Sequence, residues 1–291
     1  TFITSPEAIR LNADPSIWSR YTFKSSRSVL HDAVVAGTFA AKISKEKNFK
    51  KWSTIAPSYS YGKDWAELFL LVLKEKLPDA EIVSQLWPKV FTNDFTPHVT
   101  TVISQKPDAL FVIQWGPDAI GFLKAAKQYS LPQLVKLFGV NFGKYDVLYA
   151  VEPVPAGMYA CNRYLLNAPP TEQNKTFGMT YKSKFNSMPT CWSQEVYTGV
   201  KLLAKAIENA GTTETEAVIK ALEGLTVDVP WGSPPEGTVT MRARDHQIIN
   251  YYISWGVTVP EEPFVINNET MPWDDILAFE SKYLAEKGWL K

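Results

Sequence analysis

Only two cysteines, Cys161 and Cys191, occur in the 291 residues. Their spacing is not the C-x-x-C of a zinc or redox site, and it leaves two readings open, a pair of buried thiols or a structural disulfide of the kind exported proteins carry. Excess charge of either sign is missing as well, since 30 basic and 30 acidic side chains cancel. With no basic block there is no electrostatic reason to expect nucleic acid or an anionic membrane surface as a partner. No apolar run approaches the length of a bilayer span, the best stretch being 68–73, so direct membrane insertion is not expected. There is no initiator Met and no signal-peptide pattern. Histidine is scarce: His31 lies near a helix start, His98 in a helix's first turn and His246 in a polar junction, settings that read as structural or solvent-facing. No GxSxG elbow, P-loop, GxGxxG fingerprint or HExxH occurs, and Asp274-Asp275 reads as the negative first turn of a helix, not a metal loop. Neither a cofactor nor a metal is expected, and binding without catalysis is favoured.

What the chain has is aromatic side chains, 10 Trp, 13 Tyr and 15 Phe, and more length than one compact core usually holds. Two α/β lobes are the expectation. From Trp52 to Val140 strands and helices alternate: strands at 52–56, 81–87, 109–113 and 134–140, helices at 64–77, 96–105 and 117–128. Strands separated by helices at this spacing imply a parallel sheet covered on both sides. Ligands of such sheets bind beyond the carboxyl ends of the strands, which here are 57–62, 114–118 and 139–142. After Gly157 the rhythm changes to a strand (158–163), helices at 171–185, 192–210 and 213–223, β structure at 238–241 and 247–255, and an amphipathic helix at 273–287. The segments 20–28 and 245–247 sit between regular blocks and are candidate interlobe crossings.

Several short stretches also resemble a known family. Ser58-Tyr59-Ser60-Tyr61-Gly62 is similar to the D-x-x-YG turn of the Leu/Ile/Val-binding protein family. Lys106 to Phe111, followed by Trp115-Gly116-Pro117-Asp118, resembles that family's next signature, and Gly237 to Arg242 with Asp245-His246-Gln247 the segment before its last crossover. Ile3-Thr4-Ser5-Pro6-Glu7-Ala8 resembles its first-lobe ligand loop. The resemblance keeps its order across the chain. It implies a type I periplasmic-binding fold: two α/β lobes of parallel sheets flanked by helices, joined by three crossovers, with a ligand cleft between the lobes. It also implies that the opening βα units of the first lobe are not in this sequence. The first lobe would be 1–24 and 159–244, the second 25–158 and 245–291.

The family's function would make this an ABC-transporter solute-binding protein, periplasmic or extracellular and monomeric when complete. It would capture a small solute (an amino acid, amide or aromatic carboxylate) for a membrane ABC permease. Carried over by position, the resemblance implies that Ser5 and Ala8 occupy the carboxylate-binding loop. Tyr61 matches the aromatic that closes on the ligand, with Tyr59 beside it, and Trp115 falls at a second ligand-facing aromatic. The acid that pairs with a ligand ammonium falls at Asn141. A neutral amide cannot neutralise an ammonium, so either Asp118 or Glu7 substitutes or the ligand lacks that group. Two rival readings are a ligand-sensing domain of the same fold and an α/β enzyme using the same strand ends.

Overall fold

The computed structural model describes residues 2–3 and 7–290. The chain divides into two compact units, unit 1 being Thr1–His31, Leu166–Tyr252 and Pro272–Lys291, and unit 2 Asp32–Leu165 and Ile253–Met271.

In unit 1, β1 (Phe2–Ile3) pairs in parallel with β2 (Phe23–Lys24), and α1 (Arg10–Ala13) lies between them in sequence. α2 (Val29–Lys47) carries the chain into unit 2. Nearly every residue of α2 from Val29 to Ala41 is buried, so it has no polar face there and no helical periodicity to read. Unit 2 continues as β3 (Lys51–Ile55), α3 (Ser60–Lys76), β4 (Glu81–Leu86), α4 (Thr96–Gln105), β5 (Ala109–Val112) and α5 (Gly116–Gln128). There follow α6 (Leu131–Leu134), β6 (Lys136–Lys144), α7 (Tyr145–Ala150) and β7 (Tyr159–Tyr164). The chain then enters unit 1 for α8 (Glu172–Phe185), α9 (Cys191–Ala210), α10 (Thr215–Leu222), β8 (Thr226–Ser233), β9 (Thr238–Met241) and β10 (Ile248–Ile249). It returns to unit 2 for β11 (Ser254–Thr258) and β12 (Val265–Thr270), then to unit 1 for α11 (Trp273–Glu286).

Unit 2 is a seven-stranded sheet in the order β12-β11-β7-β6-β5-β3-β4, flanked by helices. The strands from β4 to β7 run parallel, and β11 and β12 add antiparallel at one edge. All of β5 and all but the first residue of β6 are buried, as strands covered on both faces must be. Rings stack through the core, Phe69 on Phe111 at 3.6 Å and Trp52 against Phe138 at 4.9 Å. This is the doubly covered parallel sheet that the alternating pattern implied.

Unit 1 holds the antiparallel sheet β10-β9-β8 with helices α8 to α11. A buried ionic cluster ties its separated stretches together. The Glu280 carboxylate on α11 accepts from Arg242 Nη1 at 2.6 Å and Nη2 at 2.9 Å, from His31 Nε2 at 2.9 Å and from Arg244 Nη2 at 3.1 Å. His31 Nδ1 meets the Tyr251 hydroxyl at 3.2 Å, and the Trp273 indole donates to the Tyr251 carbonyl at 3.1 Å. On its outer side, α9 leaves Trp192, Val196, Val200 and Leu203 exposed, and a groove of about 760 Å³ beside it is lined by Phe177, Tyr181 and Phe185.

The units differ from the lobes expected from sequence. Residues 25–31 and 245–252 lie in unit 1, 159–165 in unit 2, and Pro272–Lys291 in unit 1. The last difference follows from Glu280, whose partners Arg242 and His31 are both in unit 1. The two segments expected to cross between lobes pair with each other, through a parallel bridge from Lys24 to Gln247 and the Gln247 amide donating to Ser26 O at 2.8 Å. Cys161 lies in β7 of unit 2 and Cys191 at the start of α9 in unit 1; both are buried thiols, so the disulfide alternative does not hold in this structure.

Candidate functional site

Three segments at the carboxyl ends of parallel strands define the site in unit 2. The first follows β3. Tyr59 is extended (φ −140°) and immediately precedes α3, which puts Tyr61 and Gly62 in the helix's first turn. The chain folds back so closely that a Cβ on Gly62 would lie 2.1 Å from the Pro57 carbonyl oxygen. Only glycine allows this approach, and it fixes where Tyr59 and Tyr61 emerge. Their rings stack with centroids 5.9 Å apart. Tyr59 is 37% exposed; burial pushes its hydroxyl up, with the Trp115 side chain opposing.

The second segment follows β5. Gln114 is wholly buried, and Trp115 precedes α5, which opens on Gly116 at φ +51°, a conformation glycine adopts without strain. In the same first turn, the buried Asp118 uses Oδ2 to accept the Phe91 amide at 2.9 Å. The Phe91 ring meets Trp115 edge-on at 6.2 Å.

The third segment is inside β6. Sequence reading ended this strand at Val140, whereas it runs to Lys144, with residues 131–134 forming a separate short helix. Its pairing with β7 slips between Gly139 and Gly143, three residues of β6 (140–142) lying opposite one of β7. Asn141 sits in that bulge, a device that redirects a side chain out of the regular alternation. Its Nδ2 donates to Gln114 O at 3.1 Å and to the Tyr61 hydroxyl at 3.3 Å.

The structure therefore brings Tyr59, Tyr61, Trp115 and Asn141 together. Ala8 lies in unit 1, where its carbonyl accepts from Lys24 Nζ at 3.1 Å, and Ser5 lies outside the described residues. Glu7 is buried in unit 1, its carbonyl accepting the Val29 amide at 3.0 Å. Sequence reasoning missed Phe91, the Gln114 carbonyl and the bulge, because none leaves a motif. Among the described residues, no group of three or more His, Cys, Asp or Glu side chains is placed to hold a metal ion, and no helix is long and apolar enough to cross a membrane. His31 and His246 are buried in hydrogen-bonded settings, His246 between Thr22 O and Glu223.

Sheets of this kind place their ligand sites beyond the carboxyl ends of the strands, which is where the aromatic side chains and the Asn141 amide gather here. The chain belongs to the periplasmic binding protein family, whose model matches residues 12–256. Among curated proteins it is 22% identical to Leu/Ile/Val-binding protein homolog 4 of Brucella abortus (strain 2308) over 83% of this chain and 56% of that protein. It thus spans little more than half the length of that relative. Among solved structures it is similar to a solute-binding protein of an ABC transporter from Rhodopseudomonas palustris BisB5 in complex with 3,4-dihydroxybenzoic acid. The TM-score is 0.74 at 22% identity, covering 87% of this chain and 67% of the other. A leucine-, isoleucine-, valine-, threonine- and alanine-binding protein from Brucella ovis in a closed conformation gives a TM-score of 0.74 at 20% identity, covering 94% and 70%. These likenesses establish the type I periplasmic-binding fold. The family is one of periplasmic binding proteins.

Proposed function

We propose that this protein captures a small aromatic carboxylate, or a related solute that lacks an ammonium group, and presents it to a membrane ABC permease for import, doing no chemistry on it. The supporting observation is the amide at the bulge of β6. Asn141 stands where amino-acid binders of the resembling family carry an acid, and its NH2 group is directed at Gln114 O and the Tyr61 hydroxyl. The nearby acid, Asp118, is engaged by the Phe91 amide. Asn141 itself brings no counter-charge to a solute ammonium, whereas stacked aromatic rings and a neutral hydrogen-bonding group suit a planar ring. The fold is known with 3,4-dihydroxybenzoic acid bound in the Rhodopseudomonas palustris protein, so it accommodates a ligand of this class.

Isothermal titration with 3,4-dihydroxybenzoate, benzoate, leucine and phenylalanine tests this. The aromatic acids bind and the amino acids do not; Asn141→Asp weakens the former and brings in measurable phenylalanine binding. Tight leucine binding by the unaltered protein with none of the aromatic acids would overturn the ligand class, and no heat from any of the four would overturn capture of this kind altogether.

A further inference from the structure

Phe91 is the most exposed aromatic ring of unit 2, at 66%, and its backbone is left-handed, at φ +59°. A bulky side chain rarely adopts that conformation, and one that persists there must be held by its surroundings. The holder is identifiable. The buried carboxylate of Asp118, in the first turn of α5, accepts the Phe91 amide at 2.9 Å, and the ring rests edge-on against Trp115. Two unfavourable features, a strained backbone and an apolar ring in water, are thus imposed by a buried acid that belongs to the same cluster as Trp115. Neither contributes to the core of unit 2.

We infer that Phe91 is a ligand-contacting ring, cocked by Asp118 to lie on a planar aromatic solute beside Trp115, and that Asp118 is its positioning residue. The inference rests on the proposed capture of an aromatic solute, and it adds the residue that selects for the ring. Bound solute covers the exposed face of Phe91, so the area lost to water in the free protein is recovered on binding. Asp118 does not touch the solute; it acts through the Phe91 amide.

The test replaces Phe91 by glycine, which relieves the left-handed strain and deletes the ring at once. Titration with benzoate and 3,4-dihydroxybenzoate should show affinity falling about tenfold or more, the range expected for losing a buried aromatic contact. Thermal unfolding should show Tm equal to or above the unaltered protein's, the reverse of what removing a structural aromatic does. Asp118→Asn should reproduce part of the affinity loss, and adding Asp118→Asn to Phe91→Gly should cost little more, because both act through one contact. Phe185→Ala, in the unit 1 groove, should leave affinity unchanged. If the unaltered protein binds neither acid, the capture reading fails and this inference with it. If it binds and Phe91→Gly binds equally well, or if Phe91→Gly lowers Tm as a core deletion would, the role assigned to Phe91 alone is wrong.

Discussion

Replacing Glu280 by Gln removes the charge at the centre of unit 1 while keeping the shape. The carboxylate is 4% exposed and accepts bonds from Arg242, His31 and Arg244. Removing one partner of a buried ion pair costs about 3–5 kcal/mol. Arg242 retains Asp245 at 2.8 Å and the new amide oxygen can still accept, which places the expected loss near the lower bound. In a chain of this size that corresponds to a fall in Tm of roughly 6–10 °C. The pH dependence follows from the carboxyl itself. Burial alone would push it up, but the charge and hydrogen bond of His31 and the bonds from Arg242 prevail and hold it well below the ordinary 4.5. A depressed folded pKa means the stabilisation is fully present above about pH 4.5 and is lost as pH falls further, because there the unfolded chain takes up the proton first. Urea unfolding of both proteins from pH 7 to pH 3 measures this: the gap should be constant down to about pH 5 and shrink below it. A variant within about 0.5 kcal/mol of the parent at pH 7 would show that the cluster contributes no net stability, and a sizeable gap that stays constant into acid would show that the contribution is not carried by the charge of Glu280.

Two further expectations concern the chain's special positions. Gly62→Ala brings a methyl group to 2.1 Å from Pro57 O and must displace the β3–α3 turn. It should cost about 1–3 kcal/mol in thermal unfolding and weaken solute binding through Tyr61; unchanged binding would show that the turn does not position that ring. The two cysteines should resist a thiol reagent in the native protein, react with a stoichiometry of two after unfolding, and give the same Tm with and without reductant. A reductant-sensitive Tm would mean that a disulfide does form.

The parts of the fold legible in the sequence were those whose burial is one-sided or whose strands are short and apolar. β3, β4, β5 and the helices α3, α4 and α5 stand within a few residues of where periodicity put them, and the aromatics at the strand ends follow from that sheet. α2 was opaque because it is enclosed over most of its length. β8 carries Pro230 and Gly232, residues that argue against a strand, and β12 is a polar edge, Val-Ile-Asn-Asn-Glu-Thr, with little apolar signal. The compact units differ from the expected lobes most at the C-terminal helix, which the pairing of Glu280 with Arg242, 38 residues apart and encoded by no local pattern, attaches to unit 1. The site was half visible. Tyr61 and Trp115 lie in recognisable turns, whereas Phe91 is singled out only by its backbone angle and its bond to Asp118.

Because neither unit is one continuous stretch, the order of synthesis matters to the molecule. Unit 2 is interrupted by the whole of α8 to β10, and unit 1 cannot close its ionic cluster until α11 has left the ribosome. Until Glu280 arrives, Arg242 and His31 are positive or polar groups awaiting a counterpart in a half-assembled interior. A protease that cuts a single passage between the units therefore severs the polypeptide without releasing either unit whole, and the nicked product should stay together until it is unfolded.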